Sequence, residues 1–182
     1  MVPGGRGEER DILTSALARE LLSSPLIAYL ATLNSDGTPH VVGMWFVWDG
    51  GALLMPTSRE TRKARNASRD PRATVMIDDS RGGFDLRGIT IVGRAELVEA
   101  PRSLELNRAI HRKYVTDRGL ALDPVREYLL GDDITLRLVP ERVSAWDLRE
   151  TPQGRALVET GEFRALGVGE PGAGDSPHSS GE

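Results

Sequence analysis

The chain has 182 residues and a formal net charge of −4 with a pI near 5.5; this suits one domain with loose ends and argues against a surface built for nucleic acid. It contains no cysteine, which excludes a disulfide scaffold, a thiolate metal centre and a cysteine nucleophile. Its histidines, His40, His111 and His178, stand far apart, against a histidine-built zinc site.

Residues 1–10 carry no apolar targeting stretch and read as a flexible N-terminus. The longest apolar runs, Leu26–Leu33 and Val41–Trp48, are strand-length, well short of the ~20 residues of a membrane span. The expectation is a cytoplasmic protein that binds neither membrane nor nucleic acid.

Asp11–Leu22 predicts a helix, with Ile12, Leu13, Ala16, Leu17 and Leu21 on one face. Leu26–Asn34 predicts a strand, Ser35-Asp36-Gly37-Thr38 a turn, and Pro39–Trp48 a second strand. Asp49-Gly50-Gly51 is a hairpin signal leading into a third strand, Ala52–Thr57. Arg59–Arg69 is polar and helix-permissive, closed by Asp70-Pro71. Ala73–Asp78 predicts a fourth strand, and Leu86–Glu99 a long fifth one with a period of two. Pro101–Arg118 and Asp123–Leu130 predict helices; the run from Ile134 predicts a sixth strand that continues, partly extended, to Leu148. From Thr151 Gly, Pro, Ser and Glu dominate, so 151–182 reads as a disordered tail. The reading is mainly β: a small six-stranded antiparallel barrel with flanking helices, spanning 11–150, whose strand-end crevices suit a flat ligand.

The chemically informative stretch runs from Met55 to Asn66. Thr57 and Glu60 have capping-box spacing, and a helix N-terminus favours an anion. Arg59, Arg62, Lys63 and Asn66 fall three or four apart, so they share roughly one helix face. Hydroxyls, free N–H groups and converging cations suit a phosphate; a solvated basic face is the alternative. Trp45 and Trp48 could line a flavin-like ring, a dimer interface or the core. His40 could contact a ligand or stand exposed at a strand end. Asp78-Asp79 could bind metal or simply open a loop. There is no Gly-x-Ser-x-Gly elbow, dinucleotide fingerprint or Walker sequence, so any enzyme chemistry would belong to a bound cofactor.

An ordered series of segments resembles the pyridoxamine-phosphate-oxidase-like family with its split β-barrel, FMN-binding-like fold. Within that family the likeness is to the flavin- and deazaflavin-dependent oxidoreductases of actinobacteria. The segments are Ile27-Ala-Tyr-Leu-Ala-Thr-Leu, Asp36-Gly-Thr-Pro-His, Val42-Gly-Met-Trp-Phe, Thr57-Ser-Arg-Glu-Thr-Arg-Lys-Ala-Arg-Asn, Asp70-Pro-Arg-Ala-Thr-Val, Gly88-Ile-Thr-Ile-Val-Gly-Arg-Ala-Glu-Leu and Pro140-Glu-Arg-Val-Ser-Ala-Trp-Asp.

The resemblance implies a homodimer with cofactor clefts at the subunit interface. It places Pro39, His40, Val41, Val42 and Met44 along the ring, and Pro56, Thr57 and Ser58 at the ring or ribityl chain. Arg62 and Lys63 would hold the phosphate, with Asn66 and Asp78 nearby. It implies coenzyme F420, with FMN as the alternative, and no metal. No catalytic side chain is implied, because hydride would pass from the reduced cofactor to a planar unsaturated acceptor. A non-catalytic protein that binds or sequesters a flavin or deazaflavin is the second reading. The chain lacks the C-terminal Arg-x-His motif of true pyridoxamine phosphate oxidases, which argues against pyridoxal phosphate synthesis.

Overall fold

The computed structural model describes residues 11–163. Its strands are β1 (Ala28–Leu33), β2 (Pro39–Met44), β3 (Val47–Trp48), β4 (Leu53–Thr57), β5 (Arg72–Asp78), β6 (Arg87–Val98) and β7 (Ile134–Asp147). The helices are α1 (Ala16–Ser23), α2 (Arg62–Arg69), α3 (Arg102–Tyr114), α4 (Asp117–Leu120), α5 (Asp123–Leu130) and α6 (Pro152–Thr160). All strand pairs are antiparallel, in the order β2-β1-β5-β6-β7-β4-β3. The sheet curls into the half-barrel of a split β-barrel around Leu30, Met55, Ile77, Ile89, Ile91 and Leu138, all fully buried.

The turns are those that the sequence specifies. Gly37 and Gly50 take φ of 82° and 95°, where a Cβ would be strained. The Asp36 carboxylate accepts from Thr38 N at 2.9 Å, and that of Asp49 from Ala52 N at 2.7 Å. Along β6, Ile89, Ile91, Gly93 and Ala95 are buried in alternation. The β6–β7 register shifts at Val92/Gly93, and a Cβ on Gly93 would sit 2.0 Å from the Val139 carbonyl, so the bulge admits only glycine.

Four local expectations are corrected. The first helix is interrupted at Ser15, whose hydroxyl caps α1 by accepting from Ala18 N at 3.1 Å. Strand β7 is continuous through Pro140 because it wraps along the whole of β6. The region from Thr151, read as a disordered tail, begins with α6, capped by Thr151 and by Gly161 in the left-handed region. Residues 1–10 and 164–182, expected to be loose, lie outside the described residues.

The fourth difference makes seven strands of six. The run Pro39–Trp48 is split because Phe46 turns fully into the core. The Tyr114 hydroxyl takes over the backbone there, accepting from Phe46 N at 3.2 Å and donating to the Leu26 carbonyl at 2.6 Å. Its neighbour Lys113 donates to the Leu22 carbonyl at 3.0 Å and lies 3.7 Å from the centre of the Phe46 ring.

Burial lowers the Lys113 pKa to about 8. Between there and the ordinary value of 10.5 the unfolded chain binds the extra proton, so this group makes stability rise with pH. Burial raises the Tyr114 pKa to about 12, which acts in the opposite sense above about pH 10. The urea midpoint is therefore expected to rise less in Lys113→Met than in the parent chain between about pH 7.5 and 9.5. An identical rise in both would show that Lys113 is solvated in the folded state.

Candidate functional site

The split lies between β2 and β4. Strand β3 pairs only with Leu53 and Leu54, so Met55–Thr57 has β7 on one side and no ladder on the other. Pro56, which lacks an N–H, occupies that free edge. A cleft of about 540 Å³ opens there, within the usual range of small-molecule sites. Val42, Met44 and Trp45 line one side, and Pro56, Thr57 and Ser58 the other. Thr61 and Lys63 come from the start of α2, and Tyr128, Leu129, Gly131 and Asp132 close the far end.

At the head of α2 the N-cap is Thr61, correcting the expected Thr57–Glu60 box. Thr61 Oγ1 accepts from Ala64 N at 3.4 Å and donates to the Ser58 carbonyl at 2.8 Å. Thr57 Oγ1, 3.0 Å away, donates to it in turn. Ser58 Oγ accepts from Glu60 N at 3.3 Å, which leaves its own proton free for a ligand. The N–H groups of the first turn of α2 have no intrahelical acceptor.

Lys63 has no hydrogen-bond or ion-pair partner among the described residues. It is half-buried; desolvation lowers its pKa and the Asp132 carboxylate partly opposes this. A cation removed from water without a counter-ion is costly unless an anion completes it.

The basic residues around it do not converge. Arg59 pairs with Glu99, and its N–H binds Asp133 Oδ1 at 2.9 Å. Arg62 is exposed and does not line the cleft. Arg65 donates to the Glu60 carbonyl at 2.7 Å on the opposite side of the helix, where it lines a separate groove with Arg59 and Arg69. Asn66 is buried, donating to Thr32 Oγ1 at 3.2 Å and to Asn34 Oδ1 at 3.1 Å; it ties α2 to β1 and the turn after it.

Of the residues that the sequence reading names for the site, the cleft gathers Val42, Met44, Pro56, Thr57, Ser58 and Lys63. His40 shares the inner face of β2 with Val42 and Met44. Its Nδ1 is buried with no partner among the described residues. Pro39 and Val41 alternate onto the outer face. Asp78 stands on that same side and accepts from Ser80 N at 3.1 Å and Ser80 Oγ at 2.7 Å. Asp79 is paired with the buried Arg87, which also binds Glu20 at 2.8 Å. The Asp78-Asp79 pair therefore opens a loop, and no cluster suited to a metal occurs among the described residues.

Trp45 is held by stacking on Tyr114, at 5.0 Å and 4°. Sequence reasoning missed the wall at 128–132. There Asn107 Nδ2 donates to the carbonyls of Asp132 (2.9 Å) and Ile134 (3.0 Å), and Ser103 Oγ to that of Asp133 (2.8 Å). His111 Nε2 donates to Asp132 Oδ2 at 3.0 Å. Ser103, Asn107 and His111 recur every four residues, which is a sequence signal for one buried polar stripe, but nothing local says what it clasps.

The fold agrees with that of known proteins. The family model for pyridoxamine 5'-phosphate oxidase matches residues 14–147, and the chain belongs to that family. It is similar to the crystal structure of Rv2991 from Mycobacterium tuberculosis, with 30% identity, 75% of this chain and 86% of that one covered, and a TM-score of 0.63. It is also similar to an F420 reductase, with 28% identity, 69% and 94% covered, and a TM-score of 0.56. General stress protein 26 of Bacillus subtilis is 29% identical over 89 residues, which are 49% of this chain and 61% of that protein's length. Among the described residues no helix is long and apolar enough to cross a membrane.

Proposed function

We propose that the cleft binds a flavin-type cofactor through its phosphate, coenzyme F420 in preference to FMN, and that the chain is an oxidoreductase acting on a planar unsaturated small molecule. The observation that carries this reading is Lys63, a half-buried cation without a partner among the described residues, beside the free Ser58 proton and the first turn of α2. The preference for F420 rests on the likeness to an F420 reductase.

The residues fit such a group. Ser58, Lys63 and the α2 N–H groups would hold the phosphate. Val42, Met44 and Pro56 would supply apolar walls that exclude water, and the Trp45–Tyr114 stack keeps one wall in place. The unpartnered His40 Nδ1 is buried one pleat from Val42 and does not line the cleft, so it is not among the groups that hold the ligand. Hydride transfer is the chemistry that the bound cofactor supplies.

The outer face of β2, β1 and β5 supports a homodimer. Tyr29 pairs with Met76 across the sheet, Val41 is 61% exposed, and Ile27 lies alongside; a contiguous apolar face of this kind marks an interface. Pro39, Val41 and Asp78 stand on that side, so in a dimer they face the partner. This moves the interface away from Trp45, one of the residues that the sequence reading offers for it, which stacks on Tyr114 within the chain.

Titration of the purified protein with F420 and with FMN, followed by turnover of the reduced cofactor against a panel of quinones and enones, tests the reading. Saturable binding of F420 with turnover is expected, from a particle of twice the chain mass in light scattering. Tight binding without turnover would assign sequestration. Failure of both cofactors to bind below about 1 mM would remove the cofactor reading.

A further inference from the structure

We propose that a second cavity, behind the cofactor cleft, binds a small amphipathic carboxylate. The cavity has a volume of about 280 Å³ and lies between α3 and the α4–α5 segment. It shares only Leu129 and Asp132 with the cleft, together with the clasp that His111 and Asn107 make to the loop, so the proposal does not rest on the cofactor reading.

Its walls are apolar, built from Leu104, Leu120, Leu129 and Leu130. Leu104 and Leu130 remain 43% and 74% exposed at the mouth, which leaves apolar surface for a ligand to cover. Its charged lining is strongly unbalanced, with Arg108, Arg112 and Arg126 against Asp132. The Asp132 carboxylate is already engaged by His111 at 3.0 Å. Arg126 is taken by Asp123 at 2.6 Å. Arg112 is only loosely held, 3.9 Å from Asp117 with both side chains exposed. Arg108 has no carboxylate partner among the described residues.

Arg108 and Arg112 are four apart on α3 and therefore project from the same side of it. Two adjacent guanidinium groups above a leucine-lined hollow match a planar carboxylate head on an apolar body, since the guanidinium fork fits a carboxylate with two parallel hydrogen bonds. The volume lies at the small end of ligand sites, which limits the body to about two fused rings.

Calorimetric titration of the cofactor-free full chain with 2-naphthoate tests this, with 2-naphthalenemethanol as the uncharged match. Binding of 2-naphthoate with a Kd of about 0.1 mM is expected, an affinity that so few atoms can supply. The alcohol should bind at least about tenfold more weakly. Arg108→Gln, at an exposed position that leaves the fold intact, should weaken 2-naphthoate about tenfold, whereas Lys63→Ala should leave it unchanged. Equal affinity for the alcohol, or an unchanged affinity in Arg108→Gln, would overturn the proposal. Loss of 2-naphthoate binding in Lys63→Ala would do so too, by placing the ligand in the cleft. Because Lys63→Ala separates the two cavities, failure here leaves the cofactor reading to its own titration.

Discussion

Lys63→Ala is expected to weaken cofactor binding about tenfold to a hundredfold, because a charge-assisted bond to a phosphate is worth roughly 1.5–3 kcal/mol. Without cofactor the melting temperature should hardly move, or should rise, since the variant removes a desolvated cation that the Asp132 carboxylate offsets only in part. Wild-type affinity should fall as salt rises, because the contact is partly screened. Arg65→Ala is the control. Its guanidinium is committed to the Glu60 carbonyl on the opposite side of α2, so its loss should cost little. Arg62→Ala should resemble that control, since Arg62 is exposed and absent from the cleft lining. Equal losses at Lys63 and Arg65 would mean a diffuse basic field, and no loss at either would make α2 a solvated charged surface. Fluorescence titration of the purified variants at two salt concentrations distinguishes these outcomes.

Asn107→Leu is expected to destabilise the chain by about 3 kcal/mol, measured as the shift in urea unfolding. Asn107 is 2% exposed. Leucine keeps the same branched four-atom side-chain skeleton and is somewhat bulkier, so no cavity opens, but the carbonyls of Asp132 and Ile134 lose their donor and Thr135 Oγ1 loses an acceptor at 2.7 Å. Buried groups left without partners cost about 1–3 kcal/mol each, and networks are more sensitive than isolated bonds. Ser103→Ala removes a single donor and should cost about 1 kcal/mol. The Asn107 variant should also bind cofactor more weakly, because the clasped loop carries the Gly131–Asp132 wall of the cleft. A loss below about 1 kcal/mol would mean that the loop is held by the backbone path alone.

Much of the architecture was legible because it follows from local chemistry. The turns at Asp36-Gly37 and Asp49-Gly50 need side-chain acceptors and glycine at positive φ, and both are written in the sequence. The alternation of β6 survives from Ile89 to Glu96 because one of its faces is the core along that stretch. The break after Met44 was not legible. Trp45-Phe46 reads as strand by composition, and only the Tyr114 hydroxyl, 68 positions away, makes a turn of Phe46 into the core less costly than continued pairing. Helix α6 was hidden for a different, local reason: a Gly- and Pro-containing segment is a weak helix by propensity, yet Thr151 caps it and Gly154 packs its backbone against Leu148, where a Cβ would meet the carbonyl at 1.9 Å.

At the site, the sequence by itself determined that hydroxyls, a helix start and basic residues would stand together between Thr57 and Asn66, because those positions are covalent neighbours. Only the tertiary structure decided which of them face a ligand. Helical spacing places Arg59, Arg62, Lys63 and Asn66 on roughly one face, but the faces of an eight-residue helix are assigned by what packs against it. Strand β1 buries Asn66, Glu99 on the far side draws Arg59 away, and solvent takes Arg62. Lys63 is left toward the gap where β3 stops pairing with β4. That gap, and the Asp132 carboxylate across it, come from chain segments separated by dozens of residues, and no periodicity within a single segment encodes a contact between two.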